Sequence, residues 1–319
     1  MRAWRFALLA SSLIGFAVFV KIFIGFIVGG AAVAIVLFTI KGKFWRSPQV
    51  WTMAAIMILP AFLFYFTGDR GNSTEYITNW SLDMLKLITS PDFYSKWLAF
   101  LGSLFGQTFI FLSLAGTLLA APRGRALLIG LWFGYLLYGL SVPFQMYTHS
   151  YYHIQLTPII ALGLAPIAEL IIRKSVGEKR VWQVALTVLV VAVIGFQGYV
   201  ARSTLLAEDF RAEPAYWQAV GDAIPADAKV IALTQDFGYR LMYYGWRKVS
   251  LWPFASGLAE IRGNTINAEK TFAEFAADQD YFLVTAFNQL NQQNDLKKIL
   301  SQYPIAAQGN GYVLYDLQP

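Results

Sequence analysis

The sequence predicts a polytopic α-helical membrane domain of about seven spans followed by a small α/β extracytoplasmic domain. Three observations carry this. Of 319 residues, 57% are hydrophobic and only 14% are charged, against about 25% charged in an average soluble domain. Apolar runs of near-spanning length recur through residues 1–199. The charge then changes sign: residues 1–199 carry 15 Lys/Arg and 6 Asp/Glu, net +9, whereas residues 200–319 carry 10 and 13, net −3. The division expected is a transmembrane domain over 1–199 and an extracytoplasmic domain over 200–319. Such a composition argues against a disordered chain and against an ordinary cytosolic enzyme. The chain has no cysteine, which excludes disulfides, thiolate metal sites and cysteine nucleophiles.

Seven segments approach the roughly 20 apolar residues a spanning helix needs: Phe6–Val20, Ile22–Ile40, Pro48–Phe66, Leu101–Ala121, Ala126–Val142, Ile154–Ile172 and Val181–Tyr199. The first two are separated by Lys21 alone, which predicts a tight helical hairpin with Lys21 at its tip. A secretory signal is set aside for Phe6–Val20: no small-residue cleavage site precedes Lys21, and six further spans follow. Gly15, Gly25, Gly29 and Gly30 allow close helix approach. Pro60, Pro158 and Pro166 are expected to kink their spans. Glu169, four residues before Arg173, is read as half of an i,i+4 ion pair.

The segments between spans alternate in charge. Arg2 and Arg5; Lys41, Lys43 and Arg46; Arg123 and Arg125; and Arg173, Lys174, Lys179 and Arg180 make 11 basic residues on one side, with Glu178 the acid among them. The other side, made of Lys21, the Asp69–Lys96 stretch and the His149–His153 loop, has four basic and four acidic residues. By the positive-inside rule the N-terminus is cytoplasmic and residues 200–319 are extracytoplasmic, in a multi-pass protein of the inner (plasma) membrane. The net +6 is thus a topological signature. The lipid bilayer is the expected partner, and nucleic acid is not.

The outer loops hold the chemistry. Thr67–Phe100 carries Asp69, Glu75, Asp83 and Asp92 among Trp80, Phe93, Tyr94 and Trp97, the last four read as an interfacial belt, with Ser81–Ser90 as a surface helix. Asn72-Ser73-Thr74 and Asn79-Trp80-Ser81 fit a glycosylation pattern that is common by chance. Pro143–Pro158 holds both histidines of the chain, His149 and His153, with Tyr147, Tyr151, Tyr152 and Gln155. An i,i+4 His pair on a helix suits a metal, but no carboxylate is near to complete a ligand set, so no metal site is expected. An interfacial aromatic cluster and a hydrogen-bonding wall of an outward-facing site remain; the concentration of both His with three Tyr favours the wall. Lys21 is either a snorkelling end residue or a point charge for a lipid-linked phosphate.

Residues 200–319 alternate helix and strand signals. Helices are expected at Pro214–Ile224, Asn267–Asp278 and Gln289–Gln302, and strands at Lys229–Thr234, Tyr281–Thr285 and Gly311–Leu317. Asp236-Phe237-Gly238 stands without any other kinase element and is a chance match. The cluster Tyr239, Arg240, Tyr243, Tyr244, Trp246 and Arg247 reads either as a sugar-stacking surface or as packing of the tail onto the membrane domain, the latter preferred.

These residues carry a resemblance. Gly15-Phe16-Ala17-Val18-Phe19-Val20-Lys21 resembles the Gly-apolar-Lys hairpin of polytopic GT-C glycosyltransferases. Tyr151-Tyr152-His153 with Pro158 is similar to the Tyr-Tyr-His entry to their Pro-containing helix. Trp217, Ile224-Pro225, Val230-Ile231 and Tyr243-Tyr244-Gly245 resemble the soluble tail of some bacterial members. The kinship suggested is with family 39, the dolichyl-phosphate-mannose–protein mannosyltransferase and aminoarabinose-transferase type.

The resemblance implies transfer of a sugar from a polyprenyl-phosphate donor to a lipid, glycan or protein acceptor at the outer membrane face. The donor is a substrate, and no other cofactor is implied. Lys21, His149, Tyr151, Tyr152, His153 and Gln155 become the substrate-binding candidates. The family's catalytic carboxylate lies in a first outer loop that has no counterpart here, and Asp69 and Asp92 match no motif, so the catalytic residue is unassigned. Family members also have more spans. The chain is therefore expected to be the C-terminal portion of such an enzyme, completed by an N-terminal half or a partner subunit. A non-catalytic membrane subunit with an extracytoplasmic binding domain is the alternative. A transporter ranks last, lacking repeats and midplane charges.

Overall fold

Apolar runs without interior polar breaks become helices here because a helix satisfies every backbone polar group within its own segment. A computed structural model describes residues 2–67, 77–177, 179–207, 209–254 and 267–318. Asp69, Glu75, the Asn72-Ser73-Thr74 pattern and Glu178 lie outside the described residues. The helical region runs α1 (Arg2–Val20), α2 (Ile24–Ile40), α3 (Pro48–Phe66), α4 (Pro91–Phe105), α5 (Gln107–Leu119), α6 (Pro122–Ser141), α7 (Leu156–Val176) and α8 (Arg180–Ala207). The backbone divides into two compact units, Met1–Thr187 and Val188–Pro319, with the division inside α8.

Among the described residues, Ile24–Arg46, Pro48–Phe66, Ser150–Ser175 and Arg180–Ala207 are long and apolar enough to cross a membrane. The first of these includes a 3₁₀ segment, Lys41–Arg46, which continues α2. α1 is a shorter apolar helix. The expected straight span Leu101–Ala121 is instead two helices: α4 and α5 meet at 96°, and Gly106 sits at the break with φ +77°, a left-handed backbone that favours glycine. α6 carries Gly130, Gly134, Tyr135, Tyr138 and Gly139 on its buried side. It lies against α2, α5 and α7, so its surroundings are protein on several faces.

Helix directions follow from the contacts. α2 and α6 are antiparallel: an added Cβ on Gly30 would strike the Gly130 carbonyl, and one on Gly134 would strike the Phe26 carbonyl and Ile27 Cα. Gly15 of α1 meets Ile56 of α3 and Phe19 meets Phe64, so α1 and α3 are parallel. Gly116 of α5 abuts Gly163 of α7. Of the four glycines singled out above, Gly15 and Gly30 stand at crossings, whereas Gly29 has open space. Pro60 and Pro166 are interior to their helices. Pro158 is not a kink: it falls in the first turn of α7, where a missing N–H breaks no helical bond. Glu169 and Arg173 form the expected ion pair at 2.6 Å. Ser81–Ser90 holds a 3₁₀ helix, Leu82–Thr89, with Met84 buried. Ser81 itself is buried, and its hydroxyl donates to the Ser141 carbonyl.

In the second unit the elements after α8 are α9 (Glu213–Asp222), β1 (Val230–Leu233), α10 (Tyr239–Tyr244), β2 (Ser250–Leu251), α11 (Ala268–Phe275), β3 (Tyr281–Val284), α12 (Phe287–Leu290), α13 (Asn294–Leu300), β4 (Ile305–Gly309) and β5 (Tyr312–Asp316). The five-stranded sheet has the order β2-β1-β3-β5-β4. β1 pairs in parallel with β2 and β3, while β5 runs antiparallel to β3 and β4. Alternate side chains point to opposite faces. Ile231, Leu233, Phe282 and Val284 pack under Trp252, Phe272, Leu296 and Leu300. Val230, Ala232 and Leu283 pack under Trp217, Val220 and Leu241. This is a helix–sheet–helix sandwich. The expected long helix Gln289–Gln302 is split into α12 and α13, and β2 and β4 are added at the two sheet edges.

Asp280 ties the sandwich at the start of β3. Its carboxylate accepts from the Lys229 amide at 2.8 Å and from Gln318 Nε2 at 3.0 Å. The Lys229 N–H, then Gln318, hold its carboxyl below the usual carboxylate range. A depressed folded-state pKa gives stability that is present above the unfolded value and lost as pH falls through the folded one. Amide hydrogen exchange should therefore show Lys229 slower in the native chain than in Asp280→Asn near neutral pH, with the two converging as pH falls through the depressed folded-state value.

Candidate functional site

Lys21 occupies the turn between α1 and α2, its amide bonded to the Ala17 carbonyl and its carbonyl accepting from the Ile24 amide at 3.0 Å. The Nζ stands 4.2 Å from the centroid of the Tyr152 ring. A cation over an aromatic face gains about 0.5–2 kcal/mol, more as water is removed. Burial lowers the Lys21 pKa. Among the described residues the ammonium has no carboxylate partner. It is a half-buried cation over an aromatic face.

The two histidines do not share an α-helical face. Residues 145–147 and 150–153 form two short 3₁₀ turns, and His149 sits between them in extended backbone. The two imidazoles therefore lead separate lives. His149 lies 5.9 Å from the Tyr152 ring and 5.5 Å from Tyr151. Its Nδ1 is 2.7 Å from Thr148 Oγ1, while that hydroxyl donates to the Phe144 carbonyl at 2.6 Å. A hydroxyl has one proton, so Nδ1–H donates and Nε2 keeps its lone pair. Burial lowers the His149 pKa, which keeps the ring neutral near pH 7. His149 is thus able to accept a proton at Nε2.

His153 is fully buried. Its Nε2–H donates to the Met146 carbonyl at 3.1 Å, and Nδ1 accepts from the Tyr135 hydroxyl at 2.6 Å. Phe100 packs on the ring at 5.4 Å. Both nitrogens are spent on joining α6 to the loop before α7. Tyr152 is buried and stacks on Tyr138 at 6.4 Å, whereas Tyr151 is exposed and packs on Tyr152 at 4.8 Å. The Gln155 Oε1, like that of buried Gln145, is enclosed and has no hydrogen-bond partner among the described residues.

The structure therefore gathers Lys21, His149 and Tyr151 around the Tyr152 ring. It turns His153 inward and encloses the Gln155 carbonyl oxygen. Tyr135 and Tyr138, which hold His153 and Tyr152, escaped the sequence reading; their i,i+3 spacing on α6 was the available signal. On the same face Lys96 pairs with Asp92 at 2.6 Å and lies 5.7 Å from the Tyr147 ring, so Asp92 is already engaged. Among the described residues no three His, Cys, Asp or Glu converge to hold a metal. No family model, no curated protein and no solved structure matches the chain.

Proposed function

We propose that the chain is a GT-C-type membrane glycosyltransferase of the family 39 kind, or its C-terminal portion, using a polyprenyl-phosphate sugar at the outer membrane face. In this reading seven segments span the plasma membrane, the basic ends are cytoplasmic, and the α/β domain is extracytoplasmic. The observation that carries it is Lys21 over Tyr152: a half-buried ammonium in the turn between two apolar helices, with no carboxylate partner among the described residues. Such a cation suits a phosphate whose isoprenoid tail lies among the helices. Charge neutralisation of the departing phosphate is the largest service a site can render to glycosyl transfer.

In this reading His149 Nε2 removes the proton of the acceptor hydroxyl or amine as that atom bonds to the anomeric carbon. The bond from that carbon to the phosphate oxygen breaks, and polyprenyl phosphate leaves with the bonding pair beside Lys21. Exposed Tyr151 offers stacking surface for the sugar, while buried Tyr152 holds the Lys21 ammonium in place. The alternative, a non-catalytic subunit with an extracytoplasmic binding domain, draws support from the engagement of Asp92 with Lys96. Transfer of labelled sugar from a polyprenyl-phosphate donor by the full chain in vesicles separates the two. Enzyme activity should fall roughly 100-fold or more in His149→Ala, the range general-base loss produces. Absence of transfer in the unaltered chain, alone and with membranes supplying partner subunits, would favour the alternative.

A further inference from the structure

The second unit presents an aromatic surface that its own core does not use. Phe237, Tyr243 and Trp246 are 74%, 72% and 82% exposed, and Tyr239 and Phe210 are exposed as well. Tyr239 and Tyr243 share one face of α10, four residues apart. Phe237 and Trp246 flank that helix, and both are held at positive φ, 55° and 52°. For bulky residues this backbone is strained, and it persists only where neighbours enforce it. The enforcement is visible: Gly245 abuts Gly221 and the Trp217 carbonyl, while Arg247 Nε donates to the Ile224 carbonyl at 3.1 Å. Trp246 is thus pinned outward between fixed points.

The position of the patch in this unit decides what covers it. α8, the helix entering the unit, ends at Ala207; it is long and apolar enough to cross a membrane, and none of its apolar stretch is buried. Phe210 follows three residues later and lies 5.8 Å from the Arg240 guanidinium of α10. Three residues reach at most about 10 Å. The aromatic surface therefore lies beside the end of a membrane-length helix. Its residue types are those that settle at the headgroup level, with ring bodies in the acyl boundary and polar tips in water. Arg240 is engaged by Glu213 and Asp236. Arg247 and Lys248, directly after Trp246, have no carboxylate partner among the described residues, which suits anionic headgroups.

We propose that Phe210, Phe237, Tyr239, Tyr243 and Trp246 form a membrane-docking surface that seats the α/β domain on the bilayer interface. This stands whether or not the chain transfers sugar. The chain has no cysteine, so single-cysteine labelling is unambiguous. Tyr243→Cys, Trp246→Cys and, on the opposite sheet face, Lys298→Cys are each labelled with an environment-sensitive fluorophore. The full chain is then reconstituted in phosphatidylcholine vesicles containing phosphatidylglycerol. Nitroxide-bearing lipids should quench the probes at 243 and 246 roughly threefold more than the probe at 298, as expected at headgroup depth. Lipid quenching no greater than at 298, with aqueous iodide quenching in its place, would overturn the proposal. Protection of both positions from both quenchers, the mark of a protein contact, would overturn it equally, as would relief of iodide quenching by free sugar.

Discussion

Gly134→Leu is expected to disrupt the α2–α6 crossing and with it the helical unit. At Gly134 the backbone of α2 is so near that a single Cβ would already collide with the Phe26 carbonyl and Ile27 Cα. Neither is the free end of a side chain that can swing away. The same contact is made reciprocally by Gly30 and Gly130, so the helices must separate over more than one turn. Overpacking of this kind costs about 1–3 kcal/mol even where side chains can yield, and separation also loses close packing, the main force between helices in lipid. The thermal midpoint of the detergent-solubilised chain should fall sharply, with loss of the folded peak in size exclusion. Gly29→Leu, at a position with open space around it, should leave both unchanged.

His153→Ala should cost about 3 kcal/mol, because it strips a partner from the buried Tyr135 hydroxyl and the Met146 carbonyl and leaves a cavity under Phe100. Tyr135→Phe removes one of the same bonds and should cost about 1 kcal/mol. The double variant should be less damaging than the sum of the singles, since both delete the same bond. Chemical unfolding in mixed micelles measures all three. The prediction separates the two histidines: His153→Ala acts through stability, whereas His149→Ala should leave the unfolding midpoint nearly unchanged.

The parts of the fold that the sequence foretold are those with a local physical signal. α8 and α3 are long, predominantly apolar stretches, and β1 and β3 are short apolar runs bounded by turn residues. What it concealed depends on distant partners. Gly106 inside an apolar run looks like one more packing glycine, yet the chain turns through 96° there. β2 is two residues long, and β4, Ile-Ala-Ala-Gln-Gly, has no alternation to reveal it. The His149–His153 spacing suits a helical face, but His149 is extended between two 3₁₀ turns. For the site, residue types marked Lys21 and Tyr152 separately. Their meeting needed α2 to run antiparallel to α6, which is set by glycines whose partners lie far away in sequence.

The central claim, that Lys21 over Tyr152 receives a lipid-linked phosphate, is tested most directly by binding rather than turnover. The full chain in lipid nanodiscs is titrated with a short-chain polyprenyl monophosphate, in the native form and as Lys21→Met, which keeps an apolar stem and removes the charge. The account predicts saturable binding that weakens roughly tenfold or more on that substitution, the equivalent of about 1.4 kcal/mol for one lost charge-assisted contact. Equal affinity in the two forms, or binding no tighter than that of the uncharged polyprenol, would contradict it.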